Sequence, residues 1–486
     1  MTSISFFHAA AFFLVVLLVY SALRRRRVHR LANPRNLPYP PGPKPLPIIG
    51  NLFDIARDNE TATYQALARQ YGDLVFLSAL GKHILFVNSF ETANQLFEKR
   101  SANYSDRIQS TMSHELMGWG FSLGHMRYGD RWRKHRRMFH HQFQQSVSPS
   151  FWPIQQREAH SLLRRLLHSP DRLDHHLRHN AAAVIMSVTY GITIESTDDK
   201  YIALAEKALE GMAKSAGPGA FLVDLMPSLK YIPEWVPGAS FKRKAREWRA
   251  AVTGMREAPF ATVVADMASG KAPPSFVSNL LNDIVSEKII EDDEIETIKN
   301  CAGIAYAASF ILAVLTHPEV QEKAQKELDD VVGRERLPHF NDRRLLPYTS
   351  AVVKETLRGE FIIYIEVGIL WHLSPLEGLP HMVTHDDEFN GGILNDPNLY
   401  PNPRRFDPDR FMNEGDKGPT QHLSPTDTLS VAFGYGRRFC PGRHMGEAQV
   451  WISVACILSA FNITPALDEN GRPIEVVPAF SSGMIW

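Results

Sequence analysis

Beyond residue 51, apolar positions recur every three to four residues along most of the chain, the spacing typical of amphipathic helices. The stretch His317–Gly333 shows this clearly: proline stands at the first helical position, apolar side chains follow on one side, and glycine ends the pattern. Asp73–Ser89 differs, because two β-rich runs flank Leu80-Gly81-Lys82 and predict a hairpin. We therefore predict a mainly α fold with a minor β part.

The N-terminus carries an uninterrupted apolar stretch. Phe6–Leu23 comprises 18 residues without a formal charge, and a helix of that length spans about 27 Å, close to the hydrocarbon thickness of a bilayer. A cleaved signal peptide would place basic residues before the apolar run, whereas here Arg24–Arg27 follow it. The positive-inside rule assigns these arginines to the cytoplasm. We therefore predict a single N-terminal transmembrane helix within residues 1–30, retained as a membrane anchor.

A proline-rich stretch follows the predicted anchor. Asn33–Asn51 contains too many prolines for a helix or a central strand, and we interpret residues 31–51 as a stiff hinge. No shift in composition marks a later boundary, so residues 52–486 are predicted to form one domain.

Composition narrows the function classes. The chain has 486 residues, 44% of them hydrophobic, which is enough to bury a large core. Its 53 basic and 53 acidic residues cancel, so we expect no nucleic-acid partner. Three cysteines without a CxxC spacing exclude a disulfide framework and a zinc site of that type. His175 and His179 have a spacing that could hold zinc, but without an H-E-x-x-H motif we expect two surface histidines.

Cys440 has unusual neighbours. It lies in FGYGRRFCPGR, residues 433–443, a glycine-rich loop that precedes a stretch with helical spacing. A position just ahead of a helix N-terminus, among arginines, favours thiolate over thiol. A nucleophile would need a base, and His444 is the only local candidate. A metal ligand fits better, because glycines let a flat bulky group approach the backbone and an arginine can pair with its carboxylates. Cys456, inside an apolar run, is expected to be an inert buried thiol.

The pattern Phe433-x-x-Gly436-x-Arg438-x-Cys440-x-Gly442 resembles the haem-binding loop of the cytochrome P450 monooxygenases, in particular the eukaryotic microsomal, fungal-like members. The resemblance implies the cytochrome P450 fold for residues 52–486, with haem b (iron protoporphyrin IX) as cofactor. It further implies that Cys440 supplies the thiolate ligand of the iron, and that Phe433, Arg438 and Gly442 belong to the cofactor site. A thiolate ligand favours O–O cleavage and so oxygenase chemistry.

A second stretch resembles a family motif. YGDRWRKHRRMF, residues 128–139, places Trp132 and Arg136 four positions apart on one predicted helix face. Its charge alone would indicate a solvated basic helix. The family's W-x-x-x-R motif implies instead that both side chains contact a haem propionate, and His381 resembles another propionate contact.

A third set of residues resembles the family's internal ion-pair network. Glu355 and Arg358 lie three positions apart on a predicted helix, which by itself indicates an ordinary surface salt bridge. Pro408-Asp409-Arg410-Phe411 resembles the family's P-E-R-F motif. The resemblance implies that Arg410 completes a structural network with Glu355 and Arg358.

Three segments depart from the family pattern. The family's distal helix carries an acid and a hydroxyl that deliver protons for oxygen activation, but Ala302–Leu315 contains neither acid nor threonine, and Tyr306 and Ser309 offer its only hydroxyls. We therefore assign no catalytic acid, and estimate that about eleven residues, or three turns, are missing near 302–316. Residues 359–370 look inserted, and a segment looks lost near 391–393. Misplaced exon boundaries would explain all three changes.

The resemblance implies a haem-dependent monooxygenase that inserts one oxygen atom from O₂ into a lipophilic organic substrate. NADPH-cytochrome P450 reductase would donate the electrons, docking on arginines around the cysteine loop. The N-terminal helix would contact membrane lipid, giving a single-pass protein of the endoplasmic reticulum membrane with a cytosolic catalytic domain. The alternative is a catalytically impaired haem-binding pseudoenzyme, or a mis-spliced form, that lacks the distal acid and threonine.

Overall fold

The computed structural model describes most of the chain between residues 33 and 463. The described residues are 27, 30, 33–47, 49–55, 60–79, 81–195, 199–216, 220–287, 292–305, 318–358, 370–372, 383–384, 393–394, 396, 399–403, 405–412 and 431–463. The predicted anchor Phe6–Leu23, the predicted propionate contact His381, and most of the three departing segments lie outside them. Within the described ranges, no helix is both long and apolar enough to cross a membrane.

Helices dominate the described residues, which confirms the prediction of a mainly α fold with a minor β part. In chain order they are α1 Glu60–Tyr71, α2 Phe90–Ala93, α3 Asp130–Phe143, α4 Trp152–His168, α5 Leu173–Tyr190, α6 Lys200–Ala216, α7 Leu222–Leu225, α8 Ser240–Ala268, α9 Phe276–Glu287, α10 Asp292–Ala305, α11 Pro318–Val331, α12 Pro347–Arg358 and α13 Arg443–Ala460. Helix α11 confirms the helix predicted within His317–Gly333, with the proline at its first position.

The β part is one small mixed sheet. Its strands are β1 Leu74–Ala79, β2 Lys82–Val87, β3 Asp106–Arg107, β4 Leu370–His372 and β5 Val383–Thr384, in the spatial order β1-β2-β5-β4-β3. Strands β1 and β2 pair antiparallel, from Leu74 opposite Val87 to Ala79 opposite Lys82, which confirms the predicted hairpin. Gly81 has a φ of +83° in the turn, a backbone conformation that glycine adopts without strain.

The proline-rich stretch forms neither helix nor named strand in its described residues. An isolated bridge from Gly50 to Ala79 attaches it to the edge of the hairpin, and a second bridge pairs Leu46 with Gly50 inside the stretch. A side chain at Gly50 would collide with the backbone, because its Cβ would lie 1.8 Å from the carbonyl oxygen of Ser78.

Three hydrophobic clusters meet near the loop 433–443. Tyr435 belongs to a cluster built with α2 and Phe97, whereas Met445, at the start of α13, packs into the largest cluster, which includes side chains of α3, α5, α6, α8 and α10. Trp451, further along α13, is fully buried in another cluster with α4, α11 and α12. The loop and the start of α13 are thus fixed from several sides.

Two sequence expectations about individual side chains have different outcomes. Cys456 is fully buried, and burial raises the pKa of its thiol to about 12, which confirms an inert thiol. His179 was expected at the surface, and this is wrong: it is buried on α5, with Nε2 2.5 Å from Nη2 of Arg165 on the neighbouring helix α4. The described residues contain no group of three or more His, Cys, Asp or Glu side chains that could hold a metal ion.

Candidate functional site

The loop around Cys440 folds back on itself just before helix α13. The backbone N–H of Cys440 donates to the carbonyl of Phe433 at 2.9 Å, and a short 3₁₀ turn spans Gly436–Arg438 between them. Helix α13 begins at Arg443, with Gly442 as its N-cap. Cys440 is therefore placed ahead of a helix N-terminus, where unpaired N–H groups and the helix dipole stabilise negative charge.

Gly436 brings this loop against the chain that follows α2. It has a φ of +55°, and a Cβ at this position would lie 2.0 Å from the carbonyl oxygen of Phe97. No side chain fits there without moving the backbone. The neighbouring ring of Tyr435 is buried 6.2 Å from the ring of Phe97, so the loop is supported by both its backbone and its side chains.

Arg438 connects the loop to the segment that precedes α3. Its guanidinium donates to three carbonyl oxygens, those of Ser105 at 2.7 Å, Leu123 at 3.1 Å and Met126 at 2.8 Å. Its Cζ also lies 4.5 Å from the centre of the Trp132 ring. Burial lowers the pKa of Arg438 to about 9, because the cation has lost most of its water.

Trp132 and Arg136 lie side by side on α3, next to Arg438. Trp132 is 4% exposed, and its Nε1 is buried without a hydrogen-bond partner. The Cζ of Arg136 lies 5.9 Å from the Trp132 ring, and in the described part of the chain its guanidinium makes no hydrogen bond or ion pair. Burial lowers the pKa of Arg136, while the charge of Cys440 raises it. The alternative of a solvated basic helix is therefore wrong for this face of α3.

These cations are only partly compensated. Burial lowers the pKa of Arg438 most, Asp106 raises it and Arg136 lowers it, so the buried Arg438 and the half-buried Arg136 together favour a further anion. The unpartnered Nε1 of Trp132 adds a donor that faces the same region. A group with carboxylates at its edge and a metal beside Cys440 would satisfy the arginines, the indole N–H and the thiolate together.

Arg107 was missed by the sequence reasoning. It lies on β3, is 1% exposed, and its Nε donates to the carbonyl of Gly124 at 3.0 Å. It belongs with Arg438 because both bind backbone of the segment between β3 and α3. The residues around Arg107, SDRIQ, form no motif, so the sequence could not distinguish this buried arginine from an ordinary surface cation.

Glu355 and Arg358 form a buried ion pair on α12. Arg358 donates to Glu355 through Nε at 2.8 Å and Nη2 at 2.7 Å, and both side chains are at most 1% exposed. Arg410 adds a second cation, with its Nε 3.2 Å from Oε2 of Glu355. Arg358 also donates to the carbonyls of Leu394 and Pro403. The alternative of an ordinary surface salt bridge is therefore wrong, and the network joins α12 to two distant chain segments.

The described part of the predicted distal helix is α10, which ends at Ala305. It packs against α3 and α8, and Asn300 Nδ2 lies 3.3 Å from Nε2 of the buried His135 on α3. Tyr306 and Ser309 lie outside the described residues.

Comparison with known proteins identifies relatives along nearly the whole chain. The family model of Cytochrome P450 matches residues 40–482. Cytochrome P450 monooxygenase 98 of Postia placenta is 40% identical over 487 aligned residues, covering 95% of this chain and 88% of the relative. Tryptamine 4-monooxygenase of Psilocybe cyanescens is 37% identical, covering 96% of this chain and 92% of the relative. Cytochrome P450 monooxygenase COX2 of Coprinopsis cinerea is also 37% identical, covering 96% and 90%.

Proposed function

Because this chain belongs to the cytochrome P450 family, we propose that Cys440 is the residue through which it binds the iron of its haem. The chain is a haem-dependent monooxygenase, with a lipophilic substrate and a reductase as redox partner. Bound haem supplies the iron at which O₂ is activated, so that one oxygen atom enters the substrate. The residues of the protein bind this group, fix its orientation and keep the cysteine deprotonated.

Two neighbouring arginines and an unpartnered indole N–H are the observation that carries this proposal. Arg438 is buried, Arg136 is half-buried and its guanidinium makes no hydrogen bond or ion pair within the described residues, and Nε1 of Trp132 is buried without a partner beside them. We assign all three to the haem propionates, because carboxylates would neutralise the arginines and accept the indole hydrogen. His381 is proposed as a further propionate contact, and Phe433 and Gly442 as residues that pack against the porphyrin.

Two features of the loop favour the thiolate form of Cys440. The sulfur precedes the N-terminus of α13, where the helix dipole stabilises an anion. The charge of Cys440 also raises the pKa of Arg136, and this attraction is mutual, so the arginine stabilises the thiolate in turn.

The absorption spectrum of the reduced, carbon monoxide-treated protein tests the ligand. Wild type should show the band typical of a thiolate ligand, and Cys440→Ser should lose it. Cys456→Ala is the matched control: that thiol lies on α13 and is buried in the hydrophobic core, so its removal should leave the band unchanged. An unaltered spectrum for Cys440→Ser would refute the assignment.

We propose NADPH-cytochrome P450 reductase as the specific redox partner. Arg437 is exposed at the haem loop, and a cationic surface there would suit an acidic patch on the reductase. Such docking weakens as salt screens the charges, so NADPH-dependent turnover should fall with ionic strength, and more steeply in wild type than in Arg437→Gln.

We further propose that residues 1–30 anchor the protein as a single pass in the endoplasmic reticulum membrane. Residues 31–51 would form the hinge, and residues 52–486 the cytosolic haem-thiolate domain. The argument rests on the 18 uncharged residues of Phe6–Leu23 and the arginines directly after them. Deleting residues 1–30 should move the expressed protein from the microsomal pellet to the supernatant.

A further inference from the structure

Gln155 joins helix α4 to the first turn of α13, the helix that begins directly after the cysteine loop. Its Nε2 donates to the carbonyl oxygen of Met445 at 2.9 Å, and the side chain is fully buried. A carbonyl oxygen only accepts, so the amide must present its N–H to Met445. The other polar atom of the amide, Oε1, is buried without a hydrogen-bond partner among the described residues.

This amide is unfavourable where it lies. A buried acceptor without a partner destabilises a fold, whereas an apolar side chain of the same length would fill the space without that penalty. Of the two polar atoms of Gln155 only Nε2 has a partner in the described part of the chain. The effect of having glutamine at this position therefore has to act through the carbonyl of Met445.

The carbonyl of Met445 belongs to a column of hydrogen bonds directed toward Cys440. Met445 shares its peptide unit with Gly446, whose N–H donates to the carbonyl of Gly442 at 2.9 Å. Gly442 is the N-cap of α13 and lies two residues after Cys440. The bond from Gln155 adds one link to this column, and linked hydrogen bonds polarise one another in a low-dielectric interior. The added link therefore strengthens the positive end of the column, which lies at the helix N-terminus.

The same bond fixes where the first turn of α13 lies. Among the residues that the structure describes, no side chain caps the N-terminus of this helix. The next turn is held to α5 by Gln449, whose Nε2 donates to Oδ1 of Asn180 at 2.8 Å. Gln449 acts one turn further from the cysteine, so Gln155 is the nearer of these two buried ties.

We propose that Gln155 is a positioning residue for the iron ligand: its N–H holds the first turn of α13 and strengthens the positive helix end beside the thiolate of Cys440. The proposal rests on the proposed function, since Cys440 must bind the iron for the effect to reach the haem. A more positive helix end favours the state with the additional electron. Removing the donor should therefore lower the reduction potential of the bound haem.

Reduction potentials of the holoprotein test the proposal. Gln155→Met has a similar length but no N–H donor, and because it also removes the unpartnered Oε1 it should fold and keep the thiolate band. Its ferric–ferrous equilibrium should shift toward the ferric form by about two- to ten-fold, up to the value of one net hydrogen bond, or about 18–59 mV for one electron. Gln155→Leu also lacks a donor and should shift the potential in the same direction, so the test does not depend on one variant.

Gln325→Met is the matched control, because it removes the same kind of donor from the opposite end of the same helix. Gln325 on α11 donates to the carbonyls of Leu458 and Phe461, at 3.2 Å and 2.9 Å. Helix α13 has 18 residues, so this end lies about 27 Å from its N-terminus, whereas the dipole effect falls off within one turn. Gln325→Met should lower the urea midpoint but keep the wild-type potential.

Two results would overturn the proposal. If both Gln155 variants keep the wild-type potential, the amide does not act on the iron ligand. If Gln325→Met shifts the potential as much as Gln155→Met does, a general loosening of α13 accounts for the shift. The thiolate band of the wild type separates these results from failure of the proposed function: with the band present, unchanged potentials refute only the role of Gln155, and without it the assignment of Cys440 is wrong as well.

Discussion

Replacing Glu355 by leucine should destabilise the protein far more than the loss of an exposed ion pair. The carboxylate is fully buried and accepts two hydrogen bonds from Arg358 and one from the backbone N–H of Asp407 at 3.0 Å. Its removal leaves the guanidinium of Arg358 enclosed with its charge uncompensated. Breaking a buried pair in this way costs about 3–5 kcal/mol.

The expected change in melting temperature follows from the size of the chain. Unfolding entropy of about 2.1 cal/mol/K per residue over 486 residues gives about 1 kcal/mol/K. A loss of about 3–5 kcal/mol therefore lowers Tm by about 3–5 °C, measured by circular dichroism at fixed protein and haem concentration. Asp329→Ala, which removes an exposed ion pair to Arg334, should give little or no shift.

A double variant separates lost charge balance from lost packing. Glu355→Leu combined with Arg358→Leu removes both buried charges, so it should cost less than the two single variants added together. If Glu355→Leu shifts Tm no more than Asp329→Ala does, or if the two single costs simply add, the reasoning about an uncompensated buried charge is wrong.

Three further predictions concern the cysteine loop, the stability of the protein at acidic pH, and the transcript. Gly436→Ala should reduce the free energy of unfolding and the haem content more than Gly434→Ala does. Both glycines have a positive φ, so each alanine adds about 1–2 kcal/mol of backbone strain, but only the Cβ at residue 436 would collide with backbone. Equal urea midpoints for the two variants would contradict this. Burial, and after it the charge of Arg165, lowers the folded-state pKa of His179 to about 4. As the pH is lowered from about 6.5 to 4, the unfolded state therefore binds a proton that the folded state does not, and the free energy of unfolding decreases. The urea midpoint of His179→Gln should decrease less over the same range. The expressed transcript should contain about eleven additional codons near residues 302–316, three turns at 3.6 residues each, and a message that reads through as given would exclude this.

Residues close together in the sequence were the ones that could be predicted. The loop around Cys440 and the helix after it follow from glycine, proline and apolar spacing within about thirty residues. Helix spacing also places Glu355 beside Arg358, because three positions make almost one turn. Burial is different, since it depends on what packs against the helix, and so the same spacing could not distinguish a surface pair from a buried one.

Contacts between distant parts of the chain could not be predicted. Arg438 reaches carbonyls more than three hundred positions earlier, and Gly436 meets the backbone at Phe97. Backbone acceptors carry no residue-type signal, so the sequence cannot indicate which carbonyl an arginine will find.

The three hydrogen bonds of Arg438 end on main-chain oxygens, and this has an evolutionary consequence. Every residue type offers the same carbonyl, so side chains in the region 105–126 can be exchanged without detaching it from the cysteine loop. A substitution in that region therefore leaves the three acceptors of Arg438 in place. Such an arrangement lets a lineage vary the side chains of residues 105–126 by single substitutions while the attachment of the cysteine loop is retained.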